Sequence, residues 1–199
     1  MTINEHNMAQ NPDTLSTRDK ILLSTIALIE KEGLQNLTTR SIAKAAGVNS
    51  AAVNYYFRTK ENLIDEILEY TLRHMFLDIN EMYTDEQDFN SILRNILFYI
   101  LQGSLKYPSI VSAHFHKPII FNDYDVASVK QLNEYMEQFV YRIKTLEPGQ
   151  DEERIRMKLL QLISASVLPA ILPGVFKRNL GEDFFTDTEK QKKYIEELI

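Results

Sequence analysis

The chain has 199 residues, a formal net charge of −6 at pH 7 and 44% hydrophobic residues, enough for one large domain or two modest ones with a sizeable core. It contains no cysteine, which excludes a disulfide framework and a thiolate zinc site and fits a reducing cytoplasm. No run of eighteen apolar residues occurs, so no membrane span is expected. Apolar residues recur every three or four positions and do not alternate, which predicts an all-α protein.

The first residues divide into a polar arm and an amphipathic helix. Residues 1–14 lack periodicity and have neither the apolar core nor the basic start of a signal peptide, so we expect a disordered arm. The first helix should begin after Ser16, with Asp19 completing a weak capping box, and should end at Gly33. It should bury Leu22, Ile26 and Ile29.

Residues 37–60 read as two short helices joined by a glycine turn. Thr38 and Asn49 can cap the two helices through their side-chain oxygens. Ala43 is small enough for a close helix crossing, and Gly47 tolerates a left-handed turn. The pattern predicts a helix-turn-helix, although an ordinary helical hairpin has the same apolar spacing and the same kind of turn.

The second of these helices should have a buried side and an outward side. Val53 and Phe57 stand four residues apart and should anchor the helix to its domain. The outward residues are mostly short, which would let the helix backbone lie deep in a DNA major groove. They are Ser50, Ala51, Asn54 and Tyr55.

Charge favours the DNA-binding interpretation over the simple hairpin. Residues 37–60 contain four basic residues, Arg40, Lys44, Arg58 and Lys60, and no acidic one. Residues 1–60 have seven Lys or Arg against five Asp or Glu, and residues 61–199 have fifteen against twenty-three, giving net charges of +2 and −8. Only the amino-terminal part is therefore suited to approach a polyanion.

Residues from about 16 to 65 resemble the DNA-binding domain of the TetR family of transcriptional repressors. The resemblance is carried by EKEG at residues 30–33, LTTRSIAKAAGV at 37–48 and NYYFRTKENLI at 54–64. It implies phosphate contacts by Thr39, Arg40, Tyr56 and Lys60. It also implies base contacts by Ser50, Ala51, Asn54 and Tyr55, although Asn54 stands where the family commonly has tyrosine or leucine. As an alternative, Tyr55 or Tyr56 could pack in the domain core.

The rest of the chain should form a second helical domain. We predict a DNA-binding domain at 15–62 and a regulatory and dimerisation domain at 63–199, bridged by a long helix from Lys60 to about Asn80. Further helices are expected at about 88–107, 126–146 and 151–172, with one or two short helices between Pro108 and Asn122. A last helix should be capped by Thr186 and Glu189.

The helix at 151–172 has two apolar rows and therefore needs two partners. One should be its own domain, and the other is expected to be a second copy of the chain, because a palindromic operator requires two readers. The alternative is a monomer that buries both rows. The expected dimer residues are Leu160, Ser164, Val167, Leu168, Ile171, Ile195 and Leu198.

No catalytic set stands out, and we expect no enzyme, cofactor or metal. His114 and His116 should point to different sides of a helix. The resemblance to TetR proteins implies an apolar cavity for an unknown small molecule in the regulatory domain, and core packing is the alternative role for its candidate residues. They are Phe76, Phe98, Tyr99, His114, Phe115 and Phe139.

The predicted function is a cytoplasmic, homodimeric repressor that binds double-stranded DNA and is released by its ligand. A different class is a DNA-binding adaptor or architectural protein without a small-molecule inducer. A third is a helical enzyme whose amino-terminal hairpin is only structural, which the absence of an acid-base or nucleophile set disfavours.

Overall fold

The computed structural model describes residues 15–82 and 89–199, and the regular elements in these ranges are all helical, as predicted. The predicted arm at 1–14 lies outside the described residues. Two 3₁₀ turns, Leu34–Asn36 and Glu182–Phe185, accompany the α-helices. The α-helices are α1 Thr17–Glu32, α2 Thr39–Ala46, α3 Ser50–Phe57, α4 Lys60–Glu81, α5 Phe89–Lys106, α6 Pro108–Phe121, α7 Ala127–Leu146, α8 Glu152–Ile171, α9 Pro173–Leu180 and α10 Thr188–Glu196.

The first helix begins and ends where its capping residues predict. Ser16 is the N-cap of α1, and its Oγ accepts a hydrogen bond from the Asp19 amide at 3.2 Å. Gly33 ends the helix with φ of +80°, and its amide donates to the Ile29 carbonyl. Leu22, Ile26 and Ile29 are buried, as expected.

The carboxy-terminal part differs from the sequence prediction in two places. The capping box predicted at Thr186 and Glu189 is wrong, because Asp187 is the N-cap of α10 and accepts from the amides of Glu189 and Lys190. Thr186 instead donates its hydroxyl to the Asp183 carbonyl within the preceding 3₁₀ turn, at 3.4 Å. Helix α9 was not predicted.

The segment between Pro108 and Asn122 is one helix, α6. Pro108 starts it, where a missing amide hydrogen has no intrahelical partner to lose. Pro118 lies inside its last turn and is buried. Pro118 has no amide hydrogen and therefore donates no backbone hydrogen bond, but the helix continues to Phe121.

The described residues form two compact units. The first comprises residues 15–75 and 112–131, and the second comprises 76–82, 89–111 and 132–199. Helices α4, α6 and α7 each pass from one unit to the other. The domain boundary predicted after residue 62 falls inside α4 and stays a prediction about which parts fold independently.

Each unit has its own apolar core. In the first unit α1 packs on α2, and α2 packs on α3. In the second unit α5 packs on α8 and α10, around a cluster formed by Leu97, Leu101, Leu162, Phe184 and Ile195. Among the described residues, no single helix is long and apolar enough to cross a membrane, although α8 and α9 together meet that test as a pair bent by 97°.

Candidate nucleic-acid interface

The start of α2 is held by a reciprocal pair of hydrogen bonds. Thr38 Oγ1 accepts from the Ser41 amide at 3.0 Å, and Ser41 Oγ accepts from the Thr38 amide at 3.0 Å. Ile42 and Ala43 on the same helix are buried. The Thr38 cap was predicted, but Ser41 was not, because the usual third-position partner is glutamate or glutamine. The first turn of α2, with Thr39 and Arg40, is therefore fixed in place.

The turn between α2 and α3 has the left-handed glycine that the sequence predicts. Gly47 has φ of +67° and ψ of +30°. Its amide donates to the carbonyls of Ala43 and Lys44, and the Val48 amide donates to the Ala43 carbonyl at 3.0 Å. These bonds satisfy carbonyls that the end of α2 would otherwise leave without a partner.

Helix α3 turns two residues into the core and leaves the rest outside. Asn49 caps it, with Oδ1 accepting from the Ala52 amide at 2.8 Å. Val53 and Phe57 are buried, as predicted. The residues predicted to read bases, Ser50, Ala51, Asn54 and Tyr55, are all exposed.

The two adjacent tyrosines of α3 are not core residues. Tyr55 is 80% exposed and Tyr56 is 40% exposed. Their rings meet edge to face, with centroids 5.1 Å apart. The alternative that one of them packs inside the domain is therefore wrong, and both hydroxyls can reach a ligand outside the chain.

Exposed cations surround this helix. Arg40, Lys44 and Arg58 are exposed, and among the described residues none of their side chains has an ion pair. Lys60 is only partly exposed, and its Nζ donates to the Leu37 carbonyl at 3.3 Å. Lys60 thus ties the start of α4 to the residue before the α2 cap, and its ammonium retains further donors.

Arg18 supplies a contact that the sequence did not reveal. Its guanidinium forms an ion pair with Glu66 of α4 and lies over the Phe57 ring, 5.3 Å from the centroid. One side chain of α1 therefore holds both α3 and α4. The partners are 39 and 48 residues away, which is beyond the reach of helical periodicity.

Together these contacts describe a rigid helix-turn-helix whose outer helix is exposed and flanked by cations. Residues 21–67, which contain most of α1, all of α2 and α3, and the start of α4, match the family model for bacterial regulatory proteins of the tetR family. These residues therefore form a helix-turn-helix domain of the TetR type. The family resemblance found in the sequence is confirmed.

Two comparisons extend the likeness to TetR-type and related proteins along most of the chain. The nucleoid occlusion factor SlmA of Enterobacter sp. (strain 638) is 27% identical over 177 residues, which cover 85% of this chain and 89% of the relative. A TetR transcriptional regulator from Legionella pneumophila superposes with a TM-score of 0.69 at 20% identity, covering 93% of this chain and 98% of the other.

A third comparison is with a protein that was solved in complex with a small molecule. A TetR variant from Acinetobacter baumannii AYE, solved in complex with minocycline, has a TM-score of 0.59 at 15% identity and covers 89% of this chain and 93% of its own. At this level of identity, the two structural neighbours show only that this chain shares their fold.

The six residues predicted to line a ligand pocket are divided between the two units. Phe76, Phe98, Tyr99 and Phe139 belong to the second unit, whereas His114 and Phe115 belong to the first. Phe76 stacks on Tyr135, with centroids 3.5 Å apart, and also contacts Phe139. Phe98 packs against the core cluster that contains Leu97, Leu101 and Leu162.

Two of these polar side chains already have partners within the chain. Tyr99 donates its hydroxyl to Asp78 at 2.5 Å, and burial, with the neighbouring carboxylate, raises the Tyr99 pKa above its ordinary value. His114 Nε2 lies 3.1 Å from Thr71 Oγ1. Burial lowers the pKa of His114 to about 4, so its ring is neutral at pH 7, and its buried Nδ1 has no hydrogen-bond partner among the described residues.

The second unit does contain an apolar cavity, but a small one. Its volume is about 20 Å³, little more than the roughly 10–15 Å³ that one water requires. Phe139 is the only predicted pocket residue that lines it. The lining is formed by Phe89, Ile92, Leu93, Ile96, Leu97, Ile100, Phe139, Ile143, Leu159 and Ile163.

The predicted dimer residues divide into exposed and buried sets. On α8, Leu160 is 59% exposed, Ser164 and Leu168 are exposed, and Val167 and Ile171 are partly buried. Ile195 is only 1% exposed and belongs to the core cluster of its own chain, against which Leu198 also packs. Ile195 is therefore not accessible to a partner chain, because α10 packs against the core of its own unit.

The described residues contain no group of three or more side chains able to hold a metal ion. His116 is exposed and meets the Phe121 ring, whereas His114 is directed toward Thr71, so the two rings diverge as their spacing predicts.

Proposed function

We propose that this regulator recognises a specific DNA sequence through α3 and represses transcription until a small molecule releases it. The observation that carries the proposal is the exposed face of α3, on which all the predicted base-reading residues lie. The opposite face of the helix is anchored in the core of the unit by Val53 and Phe57. A helix held in this way can enter a major groove without losing its own packing.

Residue chemistry supports a division between base and phosphate contacts. Asn54 can both donate a hydrogen bond to an adenine edge and accept one from it. The Ser50 hydroxyl can pair with a donor or an acceptor on any base edge, and Ala51 can contact a thymine methyl group. Thr39, Arg40, Tyr56 and Lys60 are proposed to hold phosphates, with the amino terminus of α2 adding partial positive charge. Tyr55 completes the base-reading surface.

A homodimer is the proposed binding unit. The exposed leucines of α8, Leu160 and Leu168, stand two helical turns apart with Ser164 between them, and Met157 and Leu172 extend this apolar row. Apolar side chains arranged along one exposed helix face favour burial against a matching helix. Two copies would present two α3 helices to the halves of a palindromic operator.

Release by a ligand is supported by the apolar cavity of the second unit and by the minocycline complex of the structural neighbour from Acinetobacter baumannii. Drug-sized ligands occupy pockets of roughly 300–1,000 Å³. A cavity of about 20 Å³ must therefore expand, and only a ligand that binds the expanded state better would shift the equilibrium away from DNA.

A second candidate function is DNA binding without a small-molecule inducer. It is favoured by the 27% identity to a nucleoid occlusion factor over most of both chains, and by the small volume of the cavity. A protein of this class would bind sites distributed along a chromosome, and its occupancy would not respond to metabolites.

Genomic selection of bound DNA, followed by titration of the selected duplex, tests the proposal. We expect a recurring palindrome and a wild-type affinity well above that for a scrambled duplex. Asn54→Ala should lose discrimination worth about 1–3 kcal/mol at the base it contacts, whereas the exposed Asn133→Ala on α7 should behave as wild type. Equal losses on cognate and scrambled duplexes would remove Asn54 from base reading.

The location of the selected sites and a thermal-shift screen separate the two candidates. A few sites beside promoters, together with a metabolite that raises the melting temperature and weakens DNA binding, would support ligand-controlled repression. Many dispersed sites and no stabilising metabolite would favour the second candidate.

A further inference from the structure

The connection between α3 and α4 contains the most unusual backbone of the DNA-binding unit. Arg58 has φ of +66° and ψ of −56°, and the Thr59 amide donates to the Phe57 carbonyl at 2.8 Å. This is a γ-turn of the positive-φ form, which is rare and strained. Asn122 is the other described residue with positive φ that is not glycine, and asparagine tolerates that region better than arginine does.

The flanking contacts explain how the strain persists. Phe57 is buried, and the Arg58 amide closes α3 by donating to the Asn54 carbonyl at 2.9 Å. Thr59 Oγ1 accepts from the Asn62 amide at 3.1 Å and so caps α4. Only Arg58 and Thr59 connect the two helices, so the chain has no spare residue with which to relax. A strained residue persists when its surroundings determine its conformation in this way.

Glycine would adopt this backbone at little steric cost, as it does at Gly33, Gly47 and Gly181. At position 58 the chain has an arginine instead. Its side chain contributes no ion pair or hydrogen bond within the described residues, and it is exposed. The backbone contacts on either side hold this conformation, but the Arg58 side chain adds no contact within the described residues that would offset the strain.

The neighbouring cations differ in how far they are free to contact another molecule. Arg18 is paired with Glu66 and stacked on Phe57, and Lys60 donates to the Leu37 carbonyl. Arg58 is the cation directly after the proposed recognition helix, and its guanidinium has no ion pair or hydrogen bond with any described residue. A planar guanidinium can bind a phosphate through two parallel hydrogen bonds.

We infer that Arg58 is a DNA phosphate contact, held at the end of α3 by a strained turn that lowers stability and raises affinity for DNA. The inference rests on the proposed function, because it assumes that α3 enters the major groove. Arg58 would contact the sugar-phosphate backbone beside that groove and add affinity without reading sequence.

Three substitutions separate the charge of Arg58 from its backbone strain. Arg58→Ala removes the charge and keeps the strain, Arg58→Gly removes both, and Arg58→Lys keeps the charge. The exposed Arg178 of α9, which also lacks an ion pair among the described residues, supplies the control Arg178→Ala.

DNA affinity is measured for full-length proteins over a range of salt concentrations, on the genomically selected duplex and on a scrambled one. Arg58→Ala and Arg58→Gly should both bind roughly ten- to a hundredfold more weakly on either duplex. The slope of log K against log salt should fall by about 1 for each Arg58 lost, or about 2 for a dimer. Arg58→Lys should keep most of the slope, and Arg178→Ala should keep all of it.

Thermal unfolding tests the strain separately. Arg58→Gly should melt above both wild type and Arg58→Ala, despite its weaker DNA binding. Wild-type affinity and slope in Arg58→Ala would overturn the phosphate contact, and equal melting of the Gly and Ala variants would overturn the strained turn. If wild type bound all duplexes equally and lost affinity on substitution of Arg58, the sequence specificity proposed above would fail while this inference held.

Discussion

The helix ends of the first unit and the helix packing of the second unit are stabilised over different ranges of sequence. In the first unit, the caps of α1, α2 and α3 and the Gly47 turn all use partners within five residues. In the second unit, Gln102 bonds to Gln191, and Tyr194 donates to the Ala165 carbonyl 29 residues away. A helix-turn-helix can therefore be recognised from a short stretch of sequence, whereas the packing of the second unit depends on contacts between distant helices.

Their surfaces differ as well. Arg40, Lys44 and Arg58 have no ion pair among the described residues, whereas Arg156 of α8 bonds to both Glu137 and Glu152, and Lys144 also bonds to Glu152. These contacts hold the pKa values of both carboxyls below their ordinary range. These side chains of the second unit are satisfied within the chain, whereas Arg40, Lys44 and Arg58 are available to a polyanion.

The largest expected effect tests whether the units unfold separately. Phe57→Ala in the first unit and Phe184→Ala in the second should each lower the free energy of unfolding by about 3–5 kcal/mol, because each removes a buried ring. Hydrogen exchange of the amides in each unit would measure the loss locally. Equal loss of protection in both units from either substitution would mean that the chain unfolds as one body. As controls, Phe57→Leu and Phe184→Leu should recover much of the lost free energy of unfolding.

Acid should destabilise the first unit before the second, because the three histidines among the described residues, His74, His114 and His116, all belong to the first unit. The folded pKa of His114, about 4, lies below its ordinary value near 6.5. The unfolded chain therefore binds the proton first as pH falls. The free energy of unfolding is therefore unaffected by His114 above about pH 6.5. It decreases by on the order of 3 kcal/mol as the pH falls from there to about 4.

Denaturant unfolding between pH 7.5 and 4.5 checks this dependence. His114→Gln should flatten the pH profile, and the exposed His116→Gln on the same helix should leave it unchanged. A wild-type profile retained by His114→Gln would show that another group causes the acid sensitivity.

Two glycines should respond in opposite directions to alanine substitution. Gly47→Ala should cost about 1–2 kcal/mol from its left-handed backbone alone, because an added methyl group meets nothing within 4 Å. Gly103 lies inside α5 with similarly open surroundings, and Gly103→Ala should raise stability by about 0.5–1 kcal/mol. Thermal melts of both variants decide, and a loss of stability in Gly103→Ala would indicate a close neighbour of that helix in solution.

Helix caps should give the smallest effects, of similar size in the two units. Thr38→Ala and Asp187→Ala should each cost about 1 kcal/mol, because each leaves helix amides without a partner. Thr186→Ala is the matched control, and we expect it to cost less than about 0.5 kcal/mol. A larger loss in Thr186→Ala than in Asp187→Ala would restore the cap assignment that the sequence predicted.

The fold class and most helix bounds followed from sequence periodicity, and the exposed face of α3 followed from the four-residue spacing of Val53 and Phe57. The predicted pocket could not be located in the same way. Aromatic residues at helical spacing such as Phe76 and Phe98 suit both a core and a cavity, and only their packed positions distinguish the two. Helix α9 was missed because its first residues, Pro173 and Gly174, are typical of a loop.

By itself, the sequence determined the caps at Ser16, Thr38 and Asn49, the left-handed turn at Gly47 and the outward side of α3. Each depends on backbone bonds or side-chain directions within one or two helical turns. Tertiary structure alone decided that Lys60 bonds to Leu37, that Arg18 holds Phe57 and Glu66, and that Ile195 is buried. It also left the Arg58 side chain without a partner in the part of the chain that the structure describes. These outcomes depend on which distant residues the packed helices bring together, and helical periodicity carries no information about that.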